Sequence, residues 1–335
     1  MDFALNEEQE MLRDSVRSYL ADKVPLTRVR ELMETEAGFD PELWSEMAQM
    51  GWQAMAIPEA YGGAGYSSFE LGIILEEMGR MLTPAPFLSS VVLAANTIML
   101  AGTESQKQEL LPEIATGERR GAVAIVEASG RWDPAGIELT ATADGDAIVL
   151  SGTKSYVVDG HTADTLLVAA RSADGSVDIY VVAADAPGVA ATRLETMDMT
   201  RKQAEIVFAD VRVPATARLG DAGRGAETIE QLYDLAAAAL AFEQVGGAQV
   251  CMEMSVEYAK VRLQFGRPIG SFQAIKHKCA DMLVATESAK SAAYYAGWAA
   301  ADGDADLTIA APLAKACCSD CLLYTSPSPR DPLRY

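Results

Sequence analysis

The chain is 335 residues long, half of them hydrophobic and 22% charged, the composition of a globular protein too long for one small core. Two or three compact units are expected. The formal net charge of −21 excludes nucleic acid as a partner, since a phosphate backbone needs clustered Lys and Arg, and leaves an anionic coenzyme only a local basic site or a helix N-terminus.

The first third reads as helix. Met11, Leu12, Val16, Tyr19 and Leu20 recur with a period near 3.6 and predict a helix over 8–24, with Asn6 as its N-cap. A second starts at Pro41, where Asp40 caps and proline suits the first turn. Ile57 to Gly65, with Pro58 and three glycines, breaks the pattern as a loop. Helix resumes over 69–81, continues after Pro84 and Pro86 to about Ala101, and returns over 106–116, closed by Gly117.

Near Gly121 the character changes. Short β-rich runs at 122–126, 147–150, 155–158, 165–170, 177–182, 190–192 and 205–213 are separated by Gly, Asp and Pro. That spacing predicts a small barrel or sandwich, and the absence of alternating helices disfavours a dinucleotide-type α/β sheet. From Gly225 helical patterns return at 226–264, 272–298 and from 305 onward. The expected fold class is α+β and multidomain. It comprises an all-α domain at 1–118, a middle β domain at 119–220 and an incomplete helical bundle at 221–320, followed by an irregular tail at 321–335.

No stretch approaches the roughly 20 apolar residues of a membrane span. Met1 to Asn6 lacks the basic and apolar regions of a signal peptide, so a cytoplasmic location is expected. Cys251 and Cys279 fall in helical patterns and read as buried core thiols. Cys317, Cys318 and Cys321 lack a nearby histidine and a second C-x-x-C pair, so no metal site is expected.

Several segments, in this order, resemble the acyl-CoA dehydrogenases along nearly all of residues 1–320. Trp44 to Gly65, Glu76 to Arg80, and Gln106-Lys107 with Leu110-Leu111-Pro112 are similar to first-domain signatures. Leu150 to Tyr156 and Val211-Arg212-Val213-Pro214 are similar to strands of the middle domain. The most specific stretch is Arg262-Leu263-Gln264-Phe265-Gly266-Arg267-Pro268-Ile269 with Phe272-Gln273.

The resemblance implies FAD as cofactor and at least a homodimer or homotetramer, or a heteromer with another family member. In the family the last stretch reaches across a dimer interface to the flavin of the neighbouring subunit, which assigns Arg262, Gln264, Phe265 and Gln273 to cofactor binding. An arginine there meets a phosphate bidentately. The bland alternatives are a surface ion pair for Arg262 and an aromatic core plug for Phe265. Tyr156 matches an aromatic, often Trp, that packs on the isoalloxazine ring. Val158 matches a position where many members carry a hydroxyl that bonds the flavin N5 edge, and valine cannot donate. Glu127 to Asp133 departs from the family's Glu-Pro-Gly-Ala-Gly-Ser-Asp loop, with Trp132 in place of a small polar residue. Val126 and Trp132 are expected at the flavin or substrate pocket.

The implied reaction is α,β-desaturation of an acyl-CoA thioester, with electrons passed to an electron-transfer flavoprotein or similar acceptor. The resemblance locates no catalytic base. The family's usual glutamate lies beyond the resembling region, and the helical alternative here reads Leu235-Ala236-Ala237-Ala238-Ala239. Asp234 and Glu243 flank it and read as exposed helix-face acids. The stretch from Leu322 to Asp331 looks like translated adapter sequence joined to a truncated gene. The competing expectation is a non-catalytic partner subunit of a heteromeric member acting on bulky, steroid-type acyl-CoA.

Overall fold

Asn6 caps the first helix as its position predicts: its side chain accepts the Gln9 N–H at 2.9 Å, and Gln9 accepts the Asn6 N–H at 3.1 Å. The computed structural model describes residues 4–326. Contacts divide the chain into two units, Met1–Leu26 with Ser67–Thr83 and Ala237–Tyr335, and Thr27–Tyr66 with Pro84–Ala236.

The first unit is helical. It holds α1 (Glu7–Lys23), α4 (Ser68–Met81), the part of α7 (Gly225–Val261) from Ala237 on, α8 (Gln273–Asp302) and α9 (Leu307–Thr325). Glycines set the crossing of α4 and α7. A Cβ at Gly79 would fall 2.0 Å from Glu243 O, and one at Gly246 would fall 1.8 Å from Glu76 O, so the two backbones touch. Beside this contact Phe69 stacks on Trp298 at 4.9 Å and meets Tyr294 and Phe242 edge-on at 5.2 and 5.8 Å. The buried Glu76 carboxylate accepts from Lys290 Nζ and from Tyr294 Oη, each at 2.9 Å.

The second unit holds α2 (Leu26–Met33) from Thr27 on, α3 (Pro41–Gln49), a π-helix at Leu88–Ala94, α5 (Ala95–Ala101), α6 (Glu104–Ala115) and a curled sheet. The helix expected after Pro86 to about Ala101 is π-helical in its first half. The sheet strands are β1 (Gly121–Ala124), β2 (Thr140–Asp144), β3 (Ala147–Val158), β4 (Thr165–Ser172), β5 (Val177–Ala183), β6 (Val189–Arg193) and β7 (Gln203–Pro214). Their order is β1-β4-β2-β3-β7-β6, with β5 on β4. The β1–β4 and β2–β4 pairs are parallel and the others antiparallel.

The α, β, α order matches the expectation, with differences of detail. The runs at 147–150 and 155–158 are one strand, whose pairing with β7 is interrupted by register shifts at Leu150/Gly152 and Lys154/Val157. β2 went unread because its Thr-Ala-Thr-Ala-Asp sequence offers almost no apolar side chain. α7 stops at Val261, so Gln264 lies beyond the helix.

The tail reading needs correction. α9 continues through Thr325, with Cys318, Cys321 and Thr325 buried, so residues 321–325 are helical rather than irregular. The helical repeat persists until the prolines begin at 327, and the remainder of that tail lies outside the described residues. The membrane expectation is also corrected. Gly225–Val261 and Leu307–Thr325 are long and apolar enough, by length and composition alone, to cross a membrane. Alanine, leucine and cysteine interspersed with polar and charged residues make them apolar on average without a continuous apolar run of that length. Each supplies core residues, among them Phe242 and Val245 from one and Ala311 and Ala314 from the other. Cys251 and Cys279 are half-buried rather than enclosed.

Candidate functional site

The predicted site residues fall into two groups, one in each unit. In the second unit the organising feature is the β3 bulge. Lys154 pairs with Ile206 and Val157 with Ala204, so Ser155 and Tyr156 face one residue of β7. The bulge puts Tyr156 in the left-handed region at φ 58°, and its side chain is 52% exposed. A bulky residue adopts that backbone only where its surroundings impose it. Freed from the ladder, Ser155 N–H donates to Val126 O at 2.8 Å. The bulge thus joins the strand carrying Tyr156 and half-buried Val158 to the start of the loop carrying Val126 and Trp132.

That loop is held at both ends. Glu127 Oε1 accepts the N–H groups of Glu138 and Leu139, each at 2.9 Å, and Lys154 Nζ at 2.7 Å. Nζ also donates to Ile125 O at 2.9 Å, and the Lys154 side chain is wholly buried. Burial lowers the Lys154 ammonium to about 8, opposed by the hydrogen bond and charge of Glu127 and reinforced by the Arg171 charge. Arg171 supports the loop from below, donating to Ile137 O and Pro134 O at 2.8 and 2.9 Å. At the tip Arg131 pairs with Asp133, and the 67% exposed Trp132 tilts over Tyr233 at 5.9 Å between centroids. Burial and the nearby Asp133 charge push the Tyr233 hydroxyl up to about 12, so it stays protonated, and it has no hydrogen-bond partner among the described residues.

Past the bulge, Asp159 is also left-handed at φ 52°. Its carboxylate accepts from Ser89 Oγ, on the π-helix, at 2.7 Å. Burial raises this carboxyl to about 6 against the pull of Ser89 and the charge of Arg201.

In the first unit Arg262 follows α7 directly and opens a tight hairpin, β8 (Leu263–Gln264) paired with β9 (Arg267–Pro268). Phe265 and Gly266 form its turn at φ 52° and 75°, the double left-handed geometry of a type I′ turn. Ile269 N–H closes the base on Arg262 O at 2.8 Å. The turn lifts Phe265 clear of the core: it is 90% exposed, touching Phe272 edge-on at 6.0 Å, while Arg267 lies 4.3 Å over the Phe272 ring. The core-plug alternative for Phe265 is thereby overturned. The surface ion-pair alternative for Arg262 fails as well. Among the described residues the side chains of Arg262, Gln264 and Gln273 are exposed and have no hydrogen-bond or ion-pair partner. Gln273 opens α8, whose first turn carries no acid. From Arg262 to Lys278 the sequence holds four basic residues and no acidic one, within a chain of net charge −21.

This donor set fits a dinucleotide cofactor. Exposed guanidinium and amide donors without partners among the described residues, beside a helix N-terminus, suit a diphosphate. A neighbouring exposed aromatic suits a planar ring. Arg262, Gln264, Phe265 and Gln273 share this segment, whereas Tyr156, Val158, Val126 and Trp132 share the β3 bulge and its loop. Sequence reasoning missed Lys154, Asp159, Ser89 and Tyr233. A lysine in mid-strand between buried neighbours was the available signal for the first.

The carboxylates near Ala236 are not exposed helix-face acids as expected: Asp234 and Glu243 are half-buried, and burial with the Glu230 charge raises the Asp234 carboxyl. A mainly apolar cavity of about 650 Å³ lies in the first unit, lined by Leu82, Gly247, Val250, Met254 and Leu322 among others. None of the predicted site residues lines it.

Comparison with known proteins gives three consecutive matches. Residues 6–118 match "Acyl-CoA dehydrogenase, N-terminal domain", 122–211 match the middle domain and 223–325 the C-terminal domain. The chain is 32% identical over 307 residues to "Probable acyl-CoA dehydrogenase YngJ" of Bacillus subtilis, covering 89% of this chain and 80% of that protein. Its fold is similar to butyryl-CoA dehydrogenase from Megasphaera elsdenii, with a TM-score of 0.90, 28% identity and coverage of 97% and 87% of the two chains. It is also similar to the structure described as "Tcur3481-Tcur3483 steroid ACAD G363A variant", with a TM-score of 0.83, 35% identity and coverage of 95% and 84%.

Proposed function

Because the chain belongs to the acyl-CoA dehydrogenase family, which is FAD-dependent and oxidises acyl-CoA, we propose that it desaturates an acyl-CoA thioester between the α and β carbons. FAD, when bound, supplies the hydride acceptor. The protein's share is to bind, orient and exclude water. In this reading Arg262, Gln264 and Gln273 hold the flavin diphosphate of a neighbouring subunit, with Phe265 against its ring system. Tyr156, Val158, Val126 and Trp132 line the flavin and thioester pocket. Valine at 158 supplies no hydroxyl to the flavin edge. The electron acceptor follows the resemblance: an electron-transfer flavoprotein.

One observation carries the proposal: donors at Arg262, Gln264 and Gln273 that have no partner among the described residues, in a basic segment without an acidic residue, within a match that spans nearly the whole chain. Purification tests it. The protein should be yellow and release FAD on denaturation, then bleach with an acyl-CoA and pass electrons to an electron-transfer flavoprotein in preference to oxygen. A colourless preparation that FAD cannot reconstitute would refute the proposal.

A second reading is a partner subunit of a heteromeric enzyme for bulky, steroid-type acyl-CoA. It is favoured by the carboxylate-free Leu235–Ala239 stretch and by similarity to the steroid protein named above. Activity of the chain alone on a steroid-type or linear acyl-CoA would eliminate this reading. Activity that appears only with a co-purified second family member would establish it.

A further inference from the structure

We propose that the buried Glu127–Lys154 pair is a positioning device that locks the 125–139 loop and the β3 bulge into one register, so that Val126, Trp132 and Tyr156 keep fixed relative places. The inference rests on the reading of those three residues as pocket walls.

A strand position as enclosed as Lys154 is ordinarily filled by leucine or methionine. An ammonium there incurs a large desolvation cost, and buried ion pairs are a weak source of stability. The pair is therefore better explained by the geometry it imposes. Lys154 Nζ holds Ile125 O and Glu127 Oε1, and the next residue's N–H holds Val126 O. Two successive β3 residues thus grip three successive loop residues. The same Glu127 oxygen accepts from Glu138 and Leu139, so one atom ties the start of the loop to its end. Trp132 sits on the excursion between those ends. Tyr156, left-handed at φ 58°, follows the gripping residues directly. Because both side chains are buried, neither acts on substrate itself; each acts through the groups it places.

Burial also makes the pair sensitive to its charge balance. The groups facing Nζ are Glu127 and the more distant Arg171, and burial leaves the ammonium at about 8. Replacing either partner leaves the other polar group without its counterpart in a dry site.

The test uses the full chain, with Lys154→Met and Glu127→Gln as independent variants and Lys154→Arg as the conservative one. Amide hydrogen exchange is read at Glu138 and Leu139, against Ile179 on β5 as an internal reference. Both disruptive variants should speed exchange at 138 and 139 at least tenfold and leave Ile179 unchanged. In the FAD-loaded protein, kcat should fall at least tenfold and the flavin absorption band should shift, with partial recovery in Lys154→Arg. Should Lys154→Met not fold, the isosteric Glu127→Gln carries the test. Unchanged exchange at both amides overturns the proposal. So does faster exchange with unaltered kcat and absorption, which would make the pair a structural staple only. If the wild type binds no FAD, the functional reading fails while the exchange result still decides whether the pair holds the loop.

Discussion

Ser89 Oγ donates to Asp159 Oδ2 at 2.7 Å, joining the π-helix to the residue that follows β3. This hydrogen bond is the main support of a half-buried carboxylate whose backbone is left-handed. Both features disfavour aspartate there. The charged form is desolvated, and asparagine tolerates the left-handed region at least as well.

Asp159→Asn should therefore stabilise the protein at neutral pH. The folded carboxyl, raised to about 6, binds its proton more tightly than the unfolded one near 3.8. The stability contributed by this group is fully present below about pH 4 and is lost as pH rises through 6. At pH 7.5 the full shift corresponds to about 3 kcal/mol, and residual solvent contact reduces the expected gain to about 1–2 kcal/mol. Paired melting curves at pH 7.5 and pH 5 check this: the advantage of the variant should shrink at the lower pH. An advantage independent of pH would assign the gain to the backbone alone.

Adjacent glycines on α7 should respond oppositely to alanine. Gly246→Ala drives a methyl group to 1.8 Å from Glu76 O, a backbone atom that cannot turn aside. A cost of about 3 kcal/mol is expected. At Gly247 the nearest atoms are Leu322 Cδ1 at 3.5 Å and Gly79 O at 3.7 Å, which is ordinary contact. There alanine should be neutral or stabilising by up to about 1 kcal/mol through its helix propensity. Denaturant melts of the two variants distinguish them, and equal effects would contradict the backbone contact.

Glu76→Ala should cost about 3 kcal/mol, because it strips the partner from Lys290 Nζ and from Tyr294 Oη at once. Lys290 retains some access to water, which keeps the cost near the lower end for such pairs. The double variant Glu76→Ala/Lys290→Met should recover part of the loss, because no ammonium is then left unpaired. A double-mutant cycle measures the coupling, and strictly additive losses would show that the pair contributes nothing.

Arg262→Ala should leave the melting curve of the flavin-free protein unchanged, since among the described residues its side chain has no partner to lose. FAD affinity should fall at least tenfold, and Arg262→Lys should be intermediate, because an ammonium cannot form the bidentate contact. Titration of the apoprotein followed by flavin fluorescence gives both values. Wild-type affinity in Arg262→Ala would remove this residue from the cofactor site.

The sequence by itself determined whatever depends on near neighbours. Asn6 and Gln9, three residues apart, form their reciprocal cap, and Asp40 before Pro41 starts a helix, because capping needs only one turn of chain. The short β-rich runs located all but one strand of the large sheet, since a run of β-branched and apolar residues between turn residues is written into each strand separately. Tertiary structure alone decided where distant segments meet. Lys154 reaches Glu127 across 27 residues, and Ser89 reaches Asp159 across 70. Nothing in either local sequence specifies the sheet order or the bulge that brings them together. The same holds for Phe265, which composition marks as a core residue and a turn with two left-handed positions turns outward. Burial, and with it the shifted protonation of Lys154 and Asp159, belongs to the packed chain, because desolvation depends on every element that closes around the charge.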